Sequence, residues 1–150
     1  MPLHSFCRCW LHLVWATLDR RPLLSKLAAV KLSGHLSGYA REKGIYMRIN
    51  FVNADHVHAL IDLPTNRTIE EVVQLLKGSS SHWVNESNLV PGKFGWQRGY
   101  GAFSVSHSGV DVVGRYIANQ EAHHEKKSFG EELRQLVERY GLEWHEEKNR

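Results

Sequence analysis

Apolar and polar positions alternate in some stretches of the chain and recur every three to four residues in others, which separates strands from helices. Over residues 7–17, Cys7, Cys9, Leu11, Leu13 and Trp15 share one face of a strand. A helical stretch follows from about Leu23, with Leu24, Ala28, Leu32, Leu36 and Tyr39 in its stripe, and ends at Gly44. Residues 45–52 alternate again, Ile45, Met47, Ile49 and Phe51 against Tyr46, Arg48 and Asn50. After a turn at residues 53–55, Val57, Ala59, Ile61 and Leu63 oppose His56, His58, Leu60 and Asp62. Thr68 and Glu71 form a capping box for a helix striped by Ile69, Val72, Val73 and Leu76. Residues 96–105 read as a fourth strand despite Gly99 and Gly101. A flexible connection at residues 106–109 leads into a helix over residues 110–127. A last helix, capped by Ser128 and Glu131, buries Leu133, Leu136, Val137 and Tyr140 and stops at Gly141.

The order β-α-β-β-α-β predicts an α+β, ferredoxin-like antiparallel sheet with two helices on one face and two added C-terminal helices. The apolar face of the central hairpin must meet the first two helices. The face carrying His56, His58 and Asp62 is therefore expected to be uncovered.

The chain has 150 residues, enough for one core and too few for two, so residues 1–150 read as a single domain. No apolar run approaches the ~20 residues of a membrane span, and the N-terminal stretch reads as a strand of a cytoplasmic protein rather than a signal peptide. Cys7 and Cys9 share a strand face, which favours buried thiols over a disulfide. Net charge is only +3, but residues 1–48 hold eight Lys and Arg against Asp19 and Glu42. That asymmetry suits either a solvated basic face or a polyanionic partner.

Two spacings carry chemistry. The strand period sends His56 and His58 to one side, near enough to share a cation, although pairs of this kind are often plain surface residues. On the helix over residues 110–127, Tyr116 and Gln120 lie at i and i+4 on one face. Tyrosine is a poor nucleophile at its ordinary pKa of about 10 and needs a nearby cation, while an amide oxygen can complete a metal site. A packed Tyr and a solvated Gln would give the same spacing. His123, on the same stripe, rivals Gln120 as a third ligand.

Taken together, the strand-borne H-x-H and the helical Y-x-x-x-Q some 60 residues later resemble the single-tyrosine HUH transposases of bacterial insertion sequences (IS200-like), including the REP-associated tyrosine transposases. HLVWATLDRRPLL, DHVHALIDLP, EVVQLLKGSSS, WQRGYGAFSVS and YIANQEAHHEKKSF are similar to segments of that family in the same order, over roughly residues 10–130. The resemblance implies cleavage and rejoining of single-stranded DNA near hairpins through a 5′-phosphotyrosine intermediate. It implies Tyr116 as nucleophile and His56, His58 and Gln120 as ligands of magnesium or manganese. It also implies a homodimer in which the tyrosine helix of one subunit meets the histidines of the other. Arg20, Arg21, Lys77 and Arg98 are candidate phosphate contacts. Trp83, Trp96 and Tyr100 could stack bases, with core packing the simpler role. Glu121, Glu125, Glu131 and Glu132 make the last helices acidic, which points DNA elsewhere. Two other functions fit the residues: a catalytically silent relative that only binds structured DNA, and an unrelated metal-dependent hydrolase of small substrates, which would leave Tyr116 without a role.

Overall fold

The computed structural model describes residues 5–145. Strands β1 (Trp10–Ala16), β2 (Tyr46–Val52), β3 (His56–Asp62) and β4 (Gly101–Val105) form one antiparallel sheet in the spatial order β2-β3-β1-β4. Helix α1 (Lys26–Glu42) joins β1 to β2, and α2 (Ile69–Glu86) joins β3 to β4. This is the expected ferredoxin-like α+β arrangement. Leu11, Leu13 and Trp15 of β1 and Val57, Ala59 and Ile61 of β3 pack against Leu32, Leu36 and Ala40 of α1 and Val72, Val73 and Leu76 of α2. The Ser25 hydroxyl accepts from the Ala28 amide and starts α1, a little later than Leu23. At α2 both bonds of the Thr68–Glu71 capping box form.

The second face of the sheet, expected to be open, is covered by α3 (Val110–Ala118), α4 (Gln120–His124) and α5 (Phe129–Arg139). It is itself apolar at Trp10, Val14, Ala16 and Leu60, which must leave water as surely as the first face does. Val110 and Ile117 of α3 close over Trp10 and Leu60, while Phe129 and Leu136 of α5 close over Val14, Ala16 and Phe103. His56 and His58, on the same face, are fully buried. The single helix expected over residues 110–127 is two, broken at Asn119 (φ −98°, ψ 23°).

The sequence pattern of β2 misleads for a definite reason. Met47 pairs with Ile61 and Ile49 with Leu60, so Arg48 is the extra residue of a β-bulge. Ile45 and Met47 face the main core, whereas Ile49 and Phe51 turn to α3. Asn50 is thereby aimed at α1, where its amide donates to the Ser33 carbonyl (3.2 Å) and the Ser37 hydroxyl (3.0 Å). Arg48 itself reaches Asp111 in the first turn of α3 (2.6 Å).

β1 and β4 are both shorter than expected. The ladders of β1 end where Trp10 meets Asp62 and Val105, so Cys7 and Cys9 lie beyond the sheet and are exposed, not buried. β4 begins only at Gly101; Gly99 takes φ +89°, a conformation that interrupts a strand, and Trp96 makes one isolated bridge to Thr17. Trp83 and Trp96 pack on the main core as expected, but Tyr100 does not and is 43% exposed. Among the described residues no helix is long and apolar enough to cross a membrane.

Candidate active site

His56 and His58 of β3 enter the seam between α3 and α5. His56 stacks on Phe129 of α5 (ring centroids 4.0 Å apart), and its Nδ1 lies 2.6 Å from the Asp55 carboxylate. With the proton of Nδ1 given to Asp55, Nε2 keeps a lone pair that accepts from the Asn53 amide (3.0 Å). His58 Nδ1 meets His12 Nε2 of β1 at 2.7 Å. Tyr116 of α3 stands edge-on to both rings, 5.8 Å from His58 and 6.1 Å from His12.

Glu132 joins these groups. It lies on the inward stripe of α5 with Phe129 and Leu136 and is buried. Its Oε1 is 3.0 Å from His58 Nε2, 3.0 Å from His124 Nε2 and 3.3 Å from His56 Nε2. Its Oε2 accepts from the Tyr116 hydroxyl and from the Gln120 amide (3.0 Å). One ligand atom from each of His56, His58, His124 and Glu132 falls within 4.8 Å of the others. Three imidazoles and one carboxylate converge here, all buried but the half-buried His124, and fit a divalent cation.

The electrostatics follow from burial and from Glu132. Burial pushes His58 down to about 4 and His12 down to about 3. Burial pulls His56 down as well, but the carboxylates of Asp55 and Glu132 beside it outweigh that and hold it above the ordinary histidine value. For Glu132, burial would raise the carboxyl, yet the bonds from His124, His56 and His58 hold it well below the usual range. Burial and then the neighbouring carboxylate raise the Tyr116 hydroxyl above its ordinary value, which keeps it protonated in the metal-free chain.

His56, His58, Tyr116 and Gln120 thus come together within one chain. Gln120 is buried at the centre, its amide nitrogen turned to Glu132 and its oxygen 3.1 Å from His124 Nε2. His123, its rival on the sequence, is exposed and lies against the Tyr116 ring (4.6 Å) instead. Sequence reasoning missed His124 and Glu132. The signal for Glu132 was present, since it falls in the Phe129-x-x-Glu132-x-x-x-Leu136 stripe rather than on the solvated face.

Two of the four candidate phosphate contacts share a cavity. The Arg20 guanidinium sits over Phe129 (5.4 Å), and Arg20, Arg98 and Tyr100 line one cavity of about 250 Å³. Arg21 is exposed. The Lys77 ammonium donates to the carbonyls of Gln97 (2.8 Å) and Gly99 (2.9 Å), so it braces the approach to β4. A cavity of about 270 Å³ opens beside Tyr116 and Glu132 and is also lined by Lys127 and Arg139. The C-terminal region, acidic in sum, therefore places Arg139 of α5 and Lys127 of the α4–α5 connection beside the tyrosine.

Residues 5–120 match the family described as "Transposase IS200 like". That match spans most of the chain, and the protein belongs to the IS200-like transposase family. It is 28% identical over 114 residues to the ISDra2 transposase TnpA of Deinococcus radiodurans, covering 73% of this chain and 81% of the relative. A crystal structure of a proposed transposase from D. radiodurans R1 superimposes with a TM-score of 0.63 at 25% identity, over 80% of this chain and 96% of that one. A REP-associated tyrosine transposase bound to a REP hairpin shares the fold, with a TM-score of 0.58 at 14% identity, over 83% of this chain and 74% of that one.

Proposed function

We propose that this transposase cleaves and rejoins single-stranded DNA beside hairpins, with Tyr116 as nucleophile. The observation that carries the reading is the convergence of the Tyr116 hydroxyl, His56, His58 and Glu132 on one buried point that opens through the Lys127–Arg139 cavity. Tyr116 attacks the scissile phosphorus, and the bond to the 3′-oxygen breaks. The products are a 5′-phosphotyrosine and a free 3′-hydroxyl; attack by a 3′-hydroxyl reverses the step. Glu132, accepting from the Tyr116 hydroxyl, orients it for attack; the phenolic proton leaves to water, and the departing 3′-oxygen takes a proton from water. Lys127 and Arg139 offset charge on the entering phosphate. His56 and His58, with Glu132 and His124, would hold the cation, while Gln120 orients Glu132 and would offer its own oxygen. A bound divalent ion would polarise the scissile phosphate. The imidazole-rich donor set favours manganese over magnesium. The partner is hairpin-bearing DNA, the kind of ligand held by the REP-associated structural neighbour. The homodimer with shared sites belongs to this reading. α3 follows the exposed residues 106–108, and a partner's α3 could make in trans the contacts described here.

Tyr116→Phe tests the reading. It keeps the ring and should keep the fold and hairpin binding, while the denaturant-resistant protein–DNA adduct disappears from a gel. Adduct formation by the Phe variant would assign the chemistry to another residue. Undiminished binding with no adduct in the parent would leave a silent DNA-binding relative.

A further inference from the structure

His56 and His58 are oriented by different partners. Asp55 accepts the Nδ1 proton of His56, which leaves Nε2 facing the centre with a lone pair. A carboxylate behind an imidazole in this way sets the tautomer that a metal requires. Behind His58 the partner is another imidazole, with His12 Nε2 at 2.7 Å from His58 Nδ1.

One proton fits between two ring nitrogens at that distance, which leaves two arrangements. In the first, His12 donates, and His58 carries its own proton on Nε2, aimed at Glu132 Oε1 3.0 Å away. In the second, His58 Nδ1 donates into His12 Nε2, and His58 Nε2 presents a lone pair. Only the second admits a cation between His58 and Glu132.

His12 is built to hold this bond. It lies in the middle of β1, diagonal to His58 across the ladder, where His12 pairs with Leu60 and Val14 with His58. It is 3% exposed, stacks on His58 at 5.0 Å, and is closed in by the rings of Phe103 (6.2 Å) and Tyr116 (6.1 Å). An imidazole placed among apolar neighbours costs free energy unless it is hydrogen-bonded, and its bond here is to His58.

We propose that His12 is a positioning residue of the metal centre, its Nε2 accepting the Nδ1 proton of His58 as Asp55 accepts that of His56, so that His58 Nε2 is free to bind the cation. This rests on the reading of His56 and His58 as metal ligands. Loading the site moves no net proton off the pair: the protons of His58 and His12 each pass from Nε2 to Nδ1.

The test is Mn²⁺ binding to the metal-free full chain, by calorimetry, for the parent, His12→Phe, His12→Gln and His58→Ala. Phe keeps the ring without an acceptor, whereas the Gln amide oxygen can take the place of Nε2. His12→Phe should weaken Mn²⁺ binding about 10–100-fold, and His12→Gln should recover most of the loss. A folded His12→Phe chain that binds Mn²⁺ as tightly as the parent overturns the proposal. A parent that binds no Mn²⁺, or a His58→Ala chain that binds it as well as the parent, overturns the metal reading itself. Should His12→Phe fail to fold, long-range ¹H–¹⁵N spectra of the Zn²⁺-loaded parent decide. Protonated Nδ1 at His58 supports the assignment, and a proton on Nε2 overturns it.

Discussion

Glu132 and Gln120 have different standing at the centre, and substitution should show it. Glu132→Gln keeps the shape of the side chain but removes the charge that three imidazoles surround. On the proposed reading it weakens Mn²⁺ binding at least 10-fold, or roughly 1.4 kcal/mol, whereas Gln120→Ala costs less because water can replace an amide oxygen. A calorimetric series in which Gln120→Ala is the worse of the two would restore Gln120 as the principal helix ligand. The buried histidines also set an acid limit. His12 and His58 stay uncharged in the fold down to about 3 and 4, while in the unfolded chain they take protons near 6.5. The unfolded state therefore binds more protons as pH falls below 6.5, and stability falls with it. His56, raised in the fold, contributes stability that is fully present below 6.5 and is lost as pH rises through its folded value, so it offsets part of the loss only above 6.5. With two groups against one, the metal-free chain should lose about 5 °C in Tm between pH 7 and pH 5; an unchanged Tm would show that the imidazoles are reached by water. His56 and His58 were legible in the sequence because a strand has period two. Glu132 held its place in the apolar stripe, but the adjacent Ser128–Glu131 capping box masked it by making the acids of that turn look solvated.

At the scale of elements, α5 positions Glu132 through its own first turn. The Ser128 hydroxyl accepts from the Glu131 amide, and the Glu131 side chain returns to the Ser128 backbone. Ser128→Ala should cost about 1 kcal/mol of stability in urea unfolding and should also weaken Mn²⁺ binding, because the frayed turn carries Glu132. Loss of stability with metal binding unchanged would mean that Phe129 and Leu136 alone fix the helix. The element order and the Thr68 and Ser128 caps could be read from the chain, since both follow from local spacing. The bulge at Arg48 could not. Alternation continues unbroken through residues 45–52, and only the pairing with β3 reveals that one residue has been skipped. The cover of the second face was likewise hidden, because Trp10, Val14 and Ala16 read as the back of a strand whose other side was already apolar.

At the scale of the whole molecule, the proposed homodimer predicts which chain supplies the tyrosine. Tyr116→Phe and His56→Ala chains should each be inactive as homodimers. If subunits exchange α3, a mixed dimer restores one intact site, and the covalent DNA appears on the His56→Ala chain, which a size tag identifies. A mixture shown to exchange subunits but still inactive would place the tyrosine and histidines of each site in one chain, as they lie here.

The family match ends at residue 120, and Glu132 lies beyond it. The matched segment therefore furnishes the neutral donors His56 and His58, while His124 and the anion come from the chain that follows it. Such a division makes the site's ion preference separable from its nucleophile. Exchanging one short amphipathic segment would retune the charge at the centre, with β1, β3 and the tyrosine helix left as they are.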